Sequence, residues 1–186
     1  MPGFEPVGSK RYRLLHPRPV YIIIASRGEK INAMAASWVS PLSEEPERIT
    51  LALDKESYTY QIIREVREFT VNVVDDRHLD VVWCVGTTSG HEIDKVSRCG
   101  LKLEPSSSVR APHLADALGY IEARVYKIIE DVAEDVDLIV ADVVAAYARS
   151  DVYNPRYGWE LAKARILLHA SGRAFTVPGR LLVARG

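Results

Sequence analysis

The run Asn32-Ala33-Met34-Ala35-Ala36-Ser37-Trp38-Val39-Ser40-Pro41 decides how this chain is read. Small side chains surround one tryptophan, and the run stops at Pro41. Such a segment lets a flat ligand lie close to main-chain N–H and C=O groups. Asn32, Ser37 and Ser40 add hydrogen-bonding capacity, and Trp38 adds a planar apolar wall. The same spacing also fits a tightly packed strand in which Trp38 is core. Upstream, Val20 to Ser26 reads as a buried strand ended by the turn Arg27-Gly28-Glu29-Lys30. Downstream, the loop Leu42 to Glu47 leads to Ile49-Thr50-Leu51-Ala52-Leu53-Asp54, an alternating strand.

Further along, Ser57 is a fitting N-cap for a helix whose Thr59, Ile62, Ile63 and Val66 share one face. Phe69 to Val74 returns to strand. Asp75 and Asp76 then cap a second helix through Val85, with Leu79, Val82 and Trp83 inward. The loop Gly86 to Gly90 precedes a short helix, Glu92 to Cys99, ended by Gly100. Two long strands follow, joined by the acidic turn Glu130 to Asp135. Ile121, Ala123 and Val125 alternate with charges in the first; Val136 to Arg149 is almost continuously apolar, as in a strand covered on both faces. The remainder, 153–186, is an aromatic and basic arm expected to pack on the barrel or on a second subunit. Together these elements predict a small, mainly-β antiparallel barrel with short helices inserted between strands.

A length of 186 residues suits one domain, 1–186, with a core that needs neither disulfide nor metal. The 24 basic and 25 acidic residues leave a charge of −1, which argues against a nucleic-acid binder built on phosphate neutralisation. No apolar run is long enough to span a membrane, and no signal-peptide core follows the N-terminal charges. Cys84 and Cys99 do not make a disulfide framework and lack zinc-site spacing, so a reducing, cytoplasmic setting is expected. The scarcity of Asn and Gln beside plentiful charge fits a heat-adapted source.

Walker, nucleophile-elbow, zincin and Rossmann signatures are all absent. Ser57-Tyr58-Thr59 opens a helix directly after a strand, so its free N–H groups and hydroxyls form either an anion site or an ordinary cap. Lys95 either neutralises a phosphate or belongs to a solvated face. The glycine- and hydroxyl-rich loop Gly86 to Gly90 is either a ligand contact or a plain turn.

Taken in order, these stretches resemble the flavin reductase-like, FMN-binding split-barrel family, in particular its flavoredoxin branch. The resemblance runs from Arg18-Pro19-Val20 through Asn32–Pro41, Ser57-Tyr58-Thr59, Phe69-Thr70-Val71-Asn72 and Ser89-Gly90-His91-Glu92-Ile93-Asp94-Lys95. It continues through Gly100-Leu101 and Leu118–Glu122 to Leu168-His169-Ala170-Ser171-Gly172-Arg173. It implies a homodimer of six-stranded split barrels with FMN near the subunit interface. It also implies roles: Asn32 and Trp38 line the flavin, and Met34, Ala35, Ser37, Val39 and Ser40 face its edge with main-chain groups. Ser57, Tyr58 and Thr59 contact phosphate and ribityl, Lys95 pairs the phosphate, and Phe175 adds a wall. The chemistry would be carried by FMN rather than by catalytic side chains. Electrons would pass from NAD(P)H, or from a reduced carrier protein, to a flavin, ferric chelate or similar acceptor. Many NADH-using relatives place a Gly-Asp-His sequence in the last hairpin. Here that hairpin gives Glu134-Asp135-Val136, which leaves room for a donor other than NAD(P)H, such as a reduced carrier protein; His169 is a partial substitute or a structural residue.

Overall fold

A computed structural model describes residues 3–184. An exposed 3-10 segment, Arg11–Leu15, precedes β1 (Arg18–Pro19), β2 (Tyr21–Arg27) and β3 (Lys30–Ala36). Ile22, Ile23 and Ile24 are all fully buried, so both faces of β2 are covered, as its unbroken apolar run requires. Gly28 takes a φ of 59° in the β2–β3 turn, a left-handed conformation that glycine adopts without a Cβ clash.

The strand expected through Ser40 is in fact two. β3 stops at Ala36, the chain turns at Ser37-Trp38, and β4 (Val39–Glu44) runs straight through Pro41. Proline is tolerated there because β4 is an edge strand. β5 (Glu47–Asp54) pairs back on β4. α1 (Tyr58–Val66) follows, capped by Ser57, whose Oγ accepts from the Tyr60 N–H at 3.3 Å. Next come β6 (Glu68–Val73), a 3-10 turn at Asp76–His78, α2 (Leu79–Thr87) and α3 (Lys95–Arg98). The 3-10 turn rotates the start of α2, so Leu79 is exposed while Val82 and Val85 are buried. α3 is shorter than the expected Glu92–Cys99 because Asp94 caps it, accepting from the N–H groups of Val96 and Ser97.

β7 (Leu103–Glu104) and β8 (His113–Leu114) form a small ribbon; β9 (Gly119–Ile129) and β10 (Val136–Ala148) form the long hairpin. β10 is covered on both faces only in its first half. It outruns β5, whose pairing ends at Asp142, and beyond that point Val144 and Tyr147 are exposed. The arm contributes β11 (Tyr153–Asn154), β12 (Gly158–Trp159), α4 (Leu161–Ala164), β13 (Leu168–Ser171) and β14 (Ala174–Thr176). It packs on its own chain: β13 pairs with β1, and Val152, Ala164 and Ile166 bury against Leu118.

The main sheet runs β3-β2-β6-β9-β10-β5-β4, antiparallel throughout. Its seven strands exceed the expected six because the Ser37-Trp38 corner makes two strands of one. That corner also dictates shape. β3 and β4 are opposite edges of the sheet, yet three Cα steps between Ala36 and Val39 span at most about 11 Å. The sheet must therefore curl until its edges are neighbours. One core fills the curl, with Ile23, Ala36, Leu51, Phe69 and Ile139 plugged by Tyr60, Ile62 and Ile63 of α1. No ladder joins β3 to β4 among the described residues, so hydrogen bonds do not close the curl. A second core lies outside it, between the other face of β2 and α2.

The expectation for the cysteines is overturned. Cys84 and Cys99 are joined in a disulfide, with Cα atoms 5.7 Å apart. Their separation of 15 residues concealed this, because the loop between α2 and α3 doubles back on itself. Among the described residues no helix is long and apolar enough to cross a membrane.

Candidate functional site

β3 borders the sheet, so one row of its backbone groups has no strand partner. The Lys95 ammonium, only 4% exposed as a residue, donates to Ala33 O at 3.0 Å and to Val85 O at 2.8 Å. That contact marks Ala33 as a residue whose backbone groups point off the sheet, and Ala35 is the next in the same register. Val85 O is one of the last carbonyls of α2, which lack partners within the helix and carry its negative dipole end. Lys95 thus pins α2 to the β3 edge. Among the described residues no carboxylate shares the charge: Asp94 spends its oxygens capping α3, and burial alone pulls the lysine below its ordinary pKa.

On one face of β3, Asn32 donates from Nδ2 to Thr59 Oγ1 at 2.9 Å, both side chains being buried. Because that hydroxyl accepts, its own proton remains free to donate. Gly90 lies directly over Asn32; a Cβ there would stand 2.3 Å from Asn32 Oδ1, so no larger residue fits without a shift. Met34 follows on the same face, with its sulfur 3.7 Å from Ser57 Oγ. Beside them a cleft of about 550 Å³ is lined by Lys30, Asn32, Tyr58, Gly90, His91 and Asp94. The rings of Tyr58 and His91 stand 4.7 Å apart across it.

The other face of β3 borders a second cleft of about 230 Å³, walled by Ala35, Ser37, Val82, Gly86, His169 and Phe175. A Cβ on Gly86 would press to 3.2 Å from that of Ala35, which keeps α2 close to the strand. The β13–β14 hairpin supplies the far wall. The His169 and Phe175 rings pack at 5.1 Å, and Arg173 stands 5.0 Å over the Trp83 ring.

Trp38 lies beyond the corner. It is 41% exposed, meets Tyr12 edge-on at 5.6 Å, and shares a groove of about 320 Å³ with His16, Arg18, Ser40 and Leu138. The sequence-predicted residues are therefore distributed around one strand edge and one corner. Asn32 and Tyr58 share the first cleft, Ala35, Ser37 and Phe175 the second, and Trp38 and Ser40 the third. Thr59 and Lys95 are buried beside the first two, while Met34 and Val39 pack against the core. Val136 starts β10 opposite Asp54 and lines none of the three clefts. Sequence reasoning gave no role to His91, Trp83 or Val82. His91 carried a signal, since it stands between Gly90 and Lys95 in the loop already flagged; Trp83 and Val82 read only as helix interior.

The model of the flavin reductase like domain matches residues 12–178 of this chain. An uncharacterised protein of Pyrococcus abyssi is 36% identical over 115 residues, covering 62% of this chain and 66% of that protein. An NADPH-flavin oxidoreductase of Streptomyces viridifaciens is 30% identical over 155 residues, covering 80% and 78%. Among solved structures, the flavoredoxin of Methanosarcina acetivorans superimposes with a TM-score of 0.85 at 23% identity, covering 97% of this chain and 95% of that one. An FMN-binding domain of a flavin reductase-like enzyme from Shewanella baltica gives 0.81 at 26%, covering 94% and 93%. With a match from Tyr12 into the end of the arm and the fold shared throughout, the chain belongs to the flavin reductase-like domain family.

Proposed function

We propose that this chain binds FMN along the free edge of β3 and acts as an FMN-dependent oxidoreductase, within a homodimer of split barrels. The observation that carries this reading is the buried Lys95 ammonium, with no carboxylate partner among the described residues, at a strand edge flanked by two clefts and a helix N-terminus. A phosphomonoester fits that donor set. The first N–H groups of α1, the Thr59 proton, the Tyr58 hydroxyl and the Lys95 charge are donors, a set that suits an anion. A planar ring fits the strand edge, where Ala35 and its neighbours Met34 and Ser37 offer main-chain groups. Asn32 contributes its amide, and Phe175 closes one flank with apolar surface. Bound FMN would supply hydride or electron transfer. The protein's part is to hold the ring dry and to aim donors at its edge.

Purified protein should bind one FMN per chain, read as quenching of flavin fluorescence. Anaerobic NADPH or NADH should then bleach the visible absorbance. Protein that takes up no flavin would refute the reading. A second reading is favoured by Val136 in the β9–β10 hairpin: a flavoredoxin-like carrier that receives electrons from a protein donor. Bound flavin that neither nicotinamide bleaches, but a reduced carrier protein does, would select it.

A further inference from the structure

We propose that the Cys84–Cys99 disulfide is a positioning element for Lys95, locking its ammonium against the β3 edge; for flavin affinity this rests on the function proposed above. Both half-cystines are one link from the lysine. Cys84 precedes Val85, whose carbonyl accepts one Lys95 Nζ bond at 2.8 Å. Cys99 follows Lys95 by one helical turn, and its N–H donates to Lys95 O at 2.9 Å. The bridge thus closes a ring: Cys84, Val85 O, the Lys95 side chain, the Lys95 main chain, Cys99, and back through sulfur.

The lysine needs such a lock. Its charge is buried with two neutral carbonyls for company, an arrangement that water would relieve if α3 moved outward. α3 has only four residues and cannot hold its own position by helix hydrogen bonding. Without the covalent link, α3 would be tethered to α2 through the connecting loop, the partly buried Val96 and Cys99, and the Lys95–Val85 O bond itself. The bridge is placed to restrict a local opening that exposes Lys95, rather than to staple distant parts of the fold.

The test measures Lys95 itself before it measures flavin. Wild-type protein and the Cys84→Ser/Cys99→Ser double variant are acetylated with an N-hydroxysuccinimide ester, and each lysine is followed by peptide mass spectrometry. Acetylation at Lys95 should be about tenfold faster in the double variant, with Lys30, Lys55 and Lys102 unchanged. An unchanged Lys95 rate, or acceleration at every lysine alike, would overturn the proposal; the latter would mean a general structural role. FMN affinity is then compared with and without the bridge in wild-type and Lys95→Ala backgrounds. Loss of the bridge should weaken FMN about five- to tenfold when Lys95 is present and less than about twofold when it is absent. Equal losses in both backgrounds would again overturn it. Wild-type protein that takes up no FMN at all would instead refute the function above, leaving the acetylation result to decide this one.

Discussion

Lys95 concentrates the site's electrostatics in one side chain, and its behaviour can be separated from that of the fold. Lys95→Ala should weaken FMN by about 1–3 kcal/mol, the worth of a charge-assisted contact in a partly dry site, and should weaken riboflavin, which lacks the phosphate, much less. The variant also strands Ala33 O and Val85 O, so some melting temperature should be lost as well. Equal losses for both flavins would assign Lys95 to structure alone. Thr59→Val should act in the same direction but more mildly, since it removes a neutral donor. Alkaline pH offers an independent test. Burial holds the Lys95 pKa below its ordinary 10.5. Between that lowered value and 10.5 the unfolded chain keeps a proton that the folded chain has released, so this group makes stability rise with pH. Over the same window the attraction for an anion disappears. FMN affinity should therefore decline with rising pH while the fold holds, and the decline should be smaller in Lys95→Ala, where only the flavin's own ionisation remains.

The elements divide by how much of their placement is local. Ser57 and the spacing of Ile62 and Ile63 suffice to specify α1, and its cap forms as read. Ser57→Ala should cost about 1 kcal/mol of stability, seen as a lower urea midpoint, because one helix N–H loses its acceptor. β2, β5 and the β9–β10 hairpin were equally legible, since alternation and unbroken apolar runs report burial directly. Three features were not. Ser37-Trp38 looks like continuing strand, and only the sheet's curvature turns it into a corner between opposite edges. Asp94 shortens α3 by capping it, a competition between side chain and backbone that periodicity does not register. The disulfide depends on two helices returning to within 5.7 Å, a tertiary fact. The site divides the same way. Asn32, Thr59 and Lys95 could be named because each carries a polar group at a telling position, and they do converge on β3. Trp38 was assigned the same slot but lies around the corner, and Val82 and Trp83 enter a cleft wall only once α2 has docked.

At the level of the whole molecule, three buried carboxylates gather donors around the sheet, and the two on the long hairpin join segments distant in sequence. Asp137 in β10 receives the Tyr60 hydroxyl of α1 and the Asp131 N–H of the hairpin turn, with Lys55 3.6 Å away. Glu122 in β9 gathers the N–H groups of Ser107 and Ser108, and Asp75 holds Arg77 and His78. Burial acts to raise all three pKa values, yet these partners outweigh it and each lies below its ordinary value of 3.8 for Asp or 4.5 for Glu. Burial, helped by the hydroxyl's bond to Asp137, pushes Tyr60 up to about 12. A carboxylate depressed in the folded state stabilises fully above its unfolded pKa and loses that contribution as pH falls toward the folded one. The urea midpoint should therefore stay level from neutrality to about pH 5 and then fall steeply below about pH 4. Asp137→Asn should lower the neutral midpoint, because the amide leaves one acceptor oxygen for the two donors, Tyr60 and Asp131, and loses the charge facing Lys55. It should also flatten the acid fall, since one of the three titrating groups is gone. A wild-type midpoint unchanged down to about pH 3 would mean that solvent, not these buried partners, holds the carboxylates. The curled sheet would then owe its shape to apolar packing around α1 alone.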